Sequence, residues 1–135
     1  MDKVIIFQNF FVFFTMMKSI AFVISKSIHG SSIGREGLNV VLSASTIQDN
    51  IGIFFIGDGV LQIVKFQNSE RVFSNNYPSY FLILVNYGIK TFFVCKRSLF
   101  DRNIDLKNSF LLDVSILNPK EMRKKIDSYD LILSF

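Results

Sequence analysis

Thr91-Phe92-Phe93-Val94-Cys95-Lys96-Arg97-Ser98-Leu99-Phe100 joins an unbroken apolar run to a segment that turns helical. Thr91–Val94 reads as a strand covered on both faces, because no polar residue alternates with the apolar ones; such runs belong to parallel sheets. Ser98, Leu99 and Phe100 begin a short helical turn, with Lys96 and Arg97 between the two elements. Cys95, the one cysteine of the chain, therefore falls where strand hands over to helix. A thiol there lies near backbone N–H groups and two cations, surroundings in which cysteines become reactive. A single cysteine forms no internal disulfide, so packing alone must hold the chain, and a reducing cytoplasmic setting is expected.

Outward from this segment, strand and helix patterns alternate. Toward the N-terminus, Ser19–Ser25 is a β-branched apolar run and Arg35–Thr46 shows Leu38, Val41, Leu42 and Ser45 at helical spacing. Ile51–Ile56 is a second apolar strand, closed by Gly57-Asp58-Gly59, and Asp58 is placed to cap a short helical segment over Val60–Val64. Gln67–Asn76 is polar and reads as a loop. Tyr77–Tyr87 reads as a helix with Pro78 in its first turn and Gly88 as its stop. That helix is apolar on nearly every face, so it must be buried on most sides or meet a partner chain. Toward the C-terminus, Phe110–Val114 reads as a fourth strand. Asn118, Pro119 and Glu121 open a last helix whose inner stripe is Met122, Ile126 and Tyr129, and Asp130–Phe135 is a final strand. Five apolar strands separated by helices predict an α/β fold: a single three-layer α/β/α domain around a mainly parallel five-stranded sheet. Ligands of such sheets gather at the carboxyl ends of the strands, which directs attention to the loops after Ser25, Ile56 and Cys95.

The composition narrows the function classes. Half of the 135 residues are apolar, ample for one core. Sixteen phenylalanines stand against only Ala21 and Ala44. This excess, with that of Ile, Asn, Lys and Ser, is what an AT-biased genome produces by mutation alone, so the net charge of +4 is weak testimony for an anionic partner. The loop His29-Gly30-Ser31-Ser32-Ile33-Gly34-Arg35-Glu36-Gly37 matches neither the dinucleotide fingerprint nor the P-loop, and no cofactor is expected. His29 is the only histidine, which excludes a histidine-based metal cluster, and no metal is expected. Residues 1–16 are apolar but lack a small-residue cleavage site. The window Val4–Ile24 carries Gln8, Asn9, Thr15, Lys18 and Ser19, which makes a poor membrane span. They are expected to be an upstream extension or a mis-assigned start before Met17, with a weak membrane anchor as the alternative. Two readings of Cys95 stay open at this level: a thiol that carries sulfane sulfur, or a buried half-apolar core residue.

Met17-Lys18-Ser19-Ile20-Ala21-Phe22-Val23-Ile24, the pattern HG-x(4)-REGL from His29 to Leu38, the segment Ile53–Val64 and the segment Thr91–Asp105 together resemble the DsrF/TusC family of the DsrE-like superfamily; Asp127–Phe135 fits as well. The resemblance runs from Met17 to Phe135, and it favours Met17 as the start and residues 17–135 as a DsrE/DsrF-like domain. It implies a subunit that joins TusB-like and TusD-like subunits in a cytoplasmic heterohexamer, a dimer of trimers. Such a complex relays persulfide sulfur, through a downstream sulfur-acceptor protein, toward 2-thiolation of the wobble uridine of tRNA. Apart from the resemblance, no direct contact with tRNA is expected, since no RNA-binding motif accompanies the charge, and none with membrane. Cys95 corresponds to the sulfur-accepting cysteine of the TusD-like subunit, but Lys96 and Arg97 replace the small residues that follow it there. A structural, non-catalytic subunit is therefore implied, with Cys95 as sulfur carrier in the alternative. His29, Arg35, Glu36, Asp58, Tyr80 and Phe81 are the expected interface or loop residues.

Overall fold

The strands β1 (Ile20–Ile24), β2 (Ile51–Phe55), β3 (Thr91–Cys95), β4 (Val114–Leu117) and β5 (Leu131–Ser134) form one sheet in the order β4-β3-β2-β1-β5. Every neighbouring pair is parallel. The computed structural model describes residues 18–26, 33–65, 83–107 and 110–135. The expected extension before Met17, the loop Gln67–Asn76, and the residues His29, Tyr80 and Phe81 lie outside the described residues.

The apolar runs have no polar alternation because both faces of the sheet are covered. Ile20, Phe22, Ile24, Ile51, Ile53, Phe55, Phe92 and Val94 point to one face. There they meet Leu38, Val41 and Ala44 of helix α1 (Ile33–Ser45), Val60 and Ile63 of the 3-10 helix Gly57–Gln62 and its end, and Leu99 of helix α2 (Lys96–Asp101). Ala21, Val23, Phe54, Phe93 and Cys95 point to the other face and meet Met122, Ile126 and Tyr129 of helix α3 (Pro119–Asp127) and the residues just beyond it. The helices thus make the outer layers of the three-layer α/β/α arrangement, and the sheet is its centre.

Two expectations need correction. The fourth strand is Val114–Leu117 rather than Phe110–Val114, with Cys95 paired to Leu117; Phe110 makes only an isolated antiparallel bridge to Val64. Leu112 is buried in the core all the same, so the apolarity of Phe110-Leu111-Leu112 reflects packing of a lead-in rather than sheet pairing. The expected Tyr77–Tyr87 helix is described only in its last part, a helical turn over 83–86 with the expected stop at Gly88 (φ +88°); residues 77–82 lie outside the described residues. Within it only Leu84 is buried, whereas Ile83, Val85 and Tyr87 are exposed, so the described residues do not cover that surface. Finally, Asp58 is not a cap: Ile56 occupies the N-cap position of the 3-10 helix, with no side-chain bond.

Candidate functional site

At the carboxyl edge of the sheet, β2 and β3 each pass directly into helix, and the two junctions are tied together. The Gly57 N–H donates to Ser98 Oγ at 2.9 Å. Arg102 reaches back across the same gap, with Nη2 2.8 Å and Nε 3.1 Å from Asp58 Oδ1 and Nη1 donating to the Ser98 carbonyl at 3.1 Å. Asp58 therefore spends its charge on a clamp between the 3-10 helix and α2 rather than on capping or base chemistry. Gly59 makes the close approach possible, since a Cβ there would overlap the Ile24 carbonyl oxygen at the end of β1.

Helix α2 begins at Lys96, two residues earlier than the apolar pattern implied, and Cys95 is its N-cap residue with φ −76° and ψ 118°. The thiol makes no capping bond. It is 7 % exposed and sits among Ala21, Val23, Phe54, Phe93 and Met122. Of the two neighbouring cations, Arg97 is turned along the helix to Asp101 at 3.0 Å, an i,i+4 pair in solvent, and Lys96 is exposed. The structure thus places Cys95 at the expected strand end while closing an apolar layer over it.

That layer is ordered by aromatic contacts. Phe54 stacks on Phe93 with centroids 4.6 Å apart, Tyr129 meets Phe54 edge-on at 5.5 Å, and Lys125 Nζ lies 5.7 Å from the Phe93 ring centroid. Tyr129 lies directly over Gly52, where any Cβ would overlap the phenol. Burial pushes the Tyr129 hydroxyl above its ordinary pKa.

Asp58 and Cys95 stand at the ends of neighbouring strands, and Arg35 and Glu36 lie in the first turn of α1. Sequence reasoning missed Ser98 and Arg102, whose partners lie 41 and 44 residues away; nothing in local spacing announces such bonds. Among the described residues, no group of three or more His, Cys, Asp or Glu side chains is placed to hold a metal ion. No described helix is long and apolar enough to cross a membrane.

The DsrE/DsrF-like family model matches residues 18–135. The chain belongs to the DsrE/DsrF-like family. Among curated members, it is 50% identical over 119 residues to Protein TusC of Buchnera aphidicola subsp. Schizaphis graminum, covering 88% of this chain and 100% of that protein. It is 49% identical to Protein TusC of Buchnera aphidicola subsp. Baizongia pistaciae, and 46% to that of subsp. Acyrthosiphon pisum strain Tuc7, with the same coverage. Among solved structures, the crystal structure of the ychN protein from E. coli superposes with a TM-score of 0.70 at 20% identity, over 88% of this chain and 100% of that one. The DsrE-like fold expected from the sequence is the fold observed, including its parallel five-stranded sheet.

Proposed function

We propose that this chain is a structural subunit of a TusBCD-like sulfur-relay complex, which passes persulfide sulfur toward 2-thiolation of the wobble uridine of tRNA. Its partners are TusB-like and TusD-like subunits in a cytoplasmic heterohexamer, a dimer of trimers, and a downstream acceptor protein takes the sulfur onward. The observation that carries this reading is the 50% identity to a Protein TusC along that protein's whole length. The burial of Cys95 under Phe93, Met122 and their neighbours supports a non-catalytic role, since a sulfur carrier must admit a partner's thiol or persulfide.

A second reading is favoured by the place of Cys95 as the last residue of β3, at the sheet edge where α/β proteins put their chemistry. In that reading the Cys95 thiolate attacks the outer sulfur of a donor persulfide. The donor S–S bond breaks, the donor leaves as a thiolate, and Cys95 gains the new S–S bond. Reconstituting the complex with a persulfide donor, a sulfur acceptor and tRNA separates the two. The structural reading expects Cys95→Ser to leave tRNA thiolation intact, with sulfur adducts mapped by mass spectrometry on a partner subunit. Loss of thiolation in Cys95→Ser, with the complex still assembled, overturns it in favour of the carrier.

A further inference from the structure

Among the described residues, β5 is an edge strand whose one strand neighbour is β1. Leu131 and Phe135 donate their N–H groups inward, to the Ser19 and Val23 carbonyls at 3.1 and 2.8 Å, and the Phe135 carbonyl accepts from the Ser25 N–H at 2.9 Å. Backbone groups alternate along a strand, so the N–H and C=O of Ile132 and Ser134 point outward, where no described residue meets them. Asp130, the outward position before them, already gives its N–H to Ser19 Oγ at 2.9 Å. The side chains are as open as the backbone. β1 is buried along its whole length, whereas no residue of Leu131–Phe135 is, and Ile132 is 43 % exposed.

Edge strands are ordinarily blunted by charge, proline, a bulge or a covering element, because an open edge is a template for another strand. Leu131-Ile132-Leu133-Ser134-Phe135 has no charge and no proline, and its register with β1 runs without interruption from Leu131 to Ser134. Leu131, Leu133 and Phe135 pack against the core on the α1 face, with Phe135 lying against Gly37. Ile132 and Ser134 alternate with them and face the other way.

We infer that β5 pairs with β5 of a second copy of this chain, antiparallel and centred on Leu133, so that the two sheets become one. The strand itself argues for this occupant. With a two-fold axis at Leu133, Ile132 of each copy faces Ser134 of the other, and every outward N–H and C=O of the two residues finds a partner. The side chains match in the same register. Leu131 lies opposite Phe135 and Leu133 opposite Leu133 on the α1 face, while the two Ile132 side chains become diagonal neighbours on the other. Moving the axis to Ile132 calls on the Asp130 N–H, which Ser19 already holds. No like charges meet, and an isologous contact uses up this edge in both copies. The inference goes beyond the relay reading and does not rest on it, since the pairing uses only the backbone and side chains of β5.

The test uses the full chain, produced alone and together with its partner subunits. In wild type, hydrogen exchange at the Ile132 and Ser134 amides is expected to be slowed at least about tenfold relative to an open edge. Ser134→Pro removes an outward donor and leaves the inward ladder intact, so the variant should keep the circular dichroism of wild type while the Ile132 amide exchanges freely. Native mass spectrometry should then find one copy of this chain where the wild-type assembly holds two. In a Cys95→Ser background, Leu133→Cys is expected to link two copies on mild oxidation, because residues at the axis stand side by side. Free exchange of both amides in wild type overturns the inference, as does an unchanged copy number in Ser134→Pro. Protected amides with a Leu133→Cys link to a different chain give the edge to another occupant and overturn it too. Failure of sulfur transfer in a wild-type complex that holds the paired copies counts against the relay reading alone.

Discussion

Tyr129 and Ser98 show how single side chains set the properties of the two faces of the sheet. Burial over Gly52 raises the Tyr129 pKa, so the unfolded chain loses the phenolic proton at lower pH than the folded one. The stability this group contributes is fully present below its unfolded pKa of 10.0 and is lost as pH rises through the folded value. Urea midpoints measured across the alkaline range should fall more steeply for wild type than for Tyr129→Phe; parallel curves would show that the phenol is not the titrating group. On the opposite face, Ser98 is buried and supplies the acceptor for the Gly57 N–H, whereas in the Asp58–Arg102 pair Asp58 is exposed and Arg102 is partly buried. Ser98→Ala strands a backbone donor and is expected to cost about 1–2 kcal/mol. Arg102→Ala should cost about 1 kcal/mol or less, because an ion pair whose carboxylate stays exposed to solvent contributes little. Chemical denaturation of the two variants side by side checks the order.

At the scale of elements, α3 illustrates a unit whose start is written in its sequence. Asn118 Oδ1 accepts from the Glu121 N–H at 2.8 Å, and Glu121 Oε1 accepts from the Asn118 N–H at 3.1 Å, a reciprocal capping box with Pro119 in the first turn. Asn118→Ala is expected to cost about 1 kcal/mol, and hydrogen exchange should show the loss first in α3, with β1 and β2 protected as before. The same strength of local signal made the apolar strands β1, β2 and β3 and the Met122-Ile126-Tyr129 stripe legible. Where local signals compete, reading failed. Phe110-Leu111-Leu112 is as apolar as a strand, yet the pairing residues are Val114–Leu117, where Ser115 faces solvent and an edge strand needs only partial cover. The period of two in Val-Ser-Ile-Leu and the helix cap at Asn118 were the available cues. The site was less legible than the fold. Cys95 could be placed at its strand end from spacing, but its apolar cover comes from Ala21, Val23, Phe54 and Met122, scattered along the chain. The Asp58–Arg102 clamp likewise depends on two strand ends being neighbours, which only the sheet order determines.

For the molecule as a whole, the exposed Ile83, Val85 and Tyr87 form an apolar surface that the described residues do not cover. Expressed alone, the protein is expected to self-associate, and co-expression with its partner subunits should yield a discrete species by light scattering. A stable soluble monomer would count against the subunit reading. The strand order has a further effect, on how the chain reaches its fold. β1, an inner strand, takes β5 as one of its two neighbours, and the joint is closed by Asp130 donating its N–H to Ser19 Oγ, 111 residues apart in sequence. Pairings of such separation form late, after the entropy of closing the intervening chain has been met. During synthesis β1 must therefore wait, with one apolar edge open, until the last strand has left the ribosome, and throughout that interval the nascent chain is vulnerable to the wrong partner.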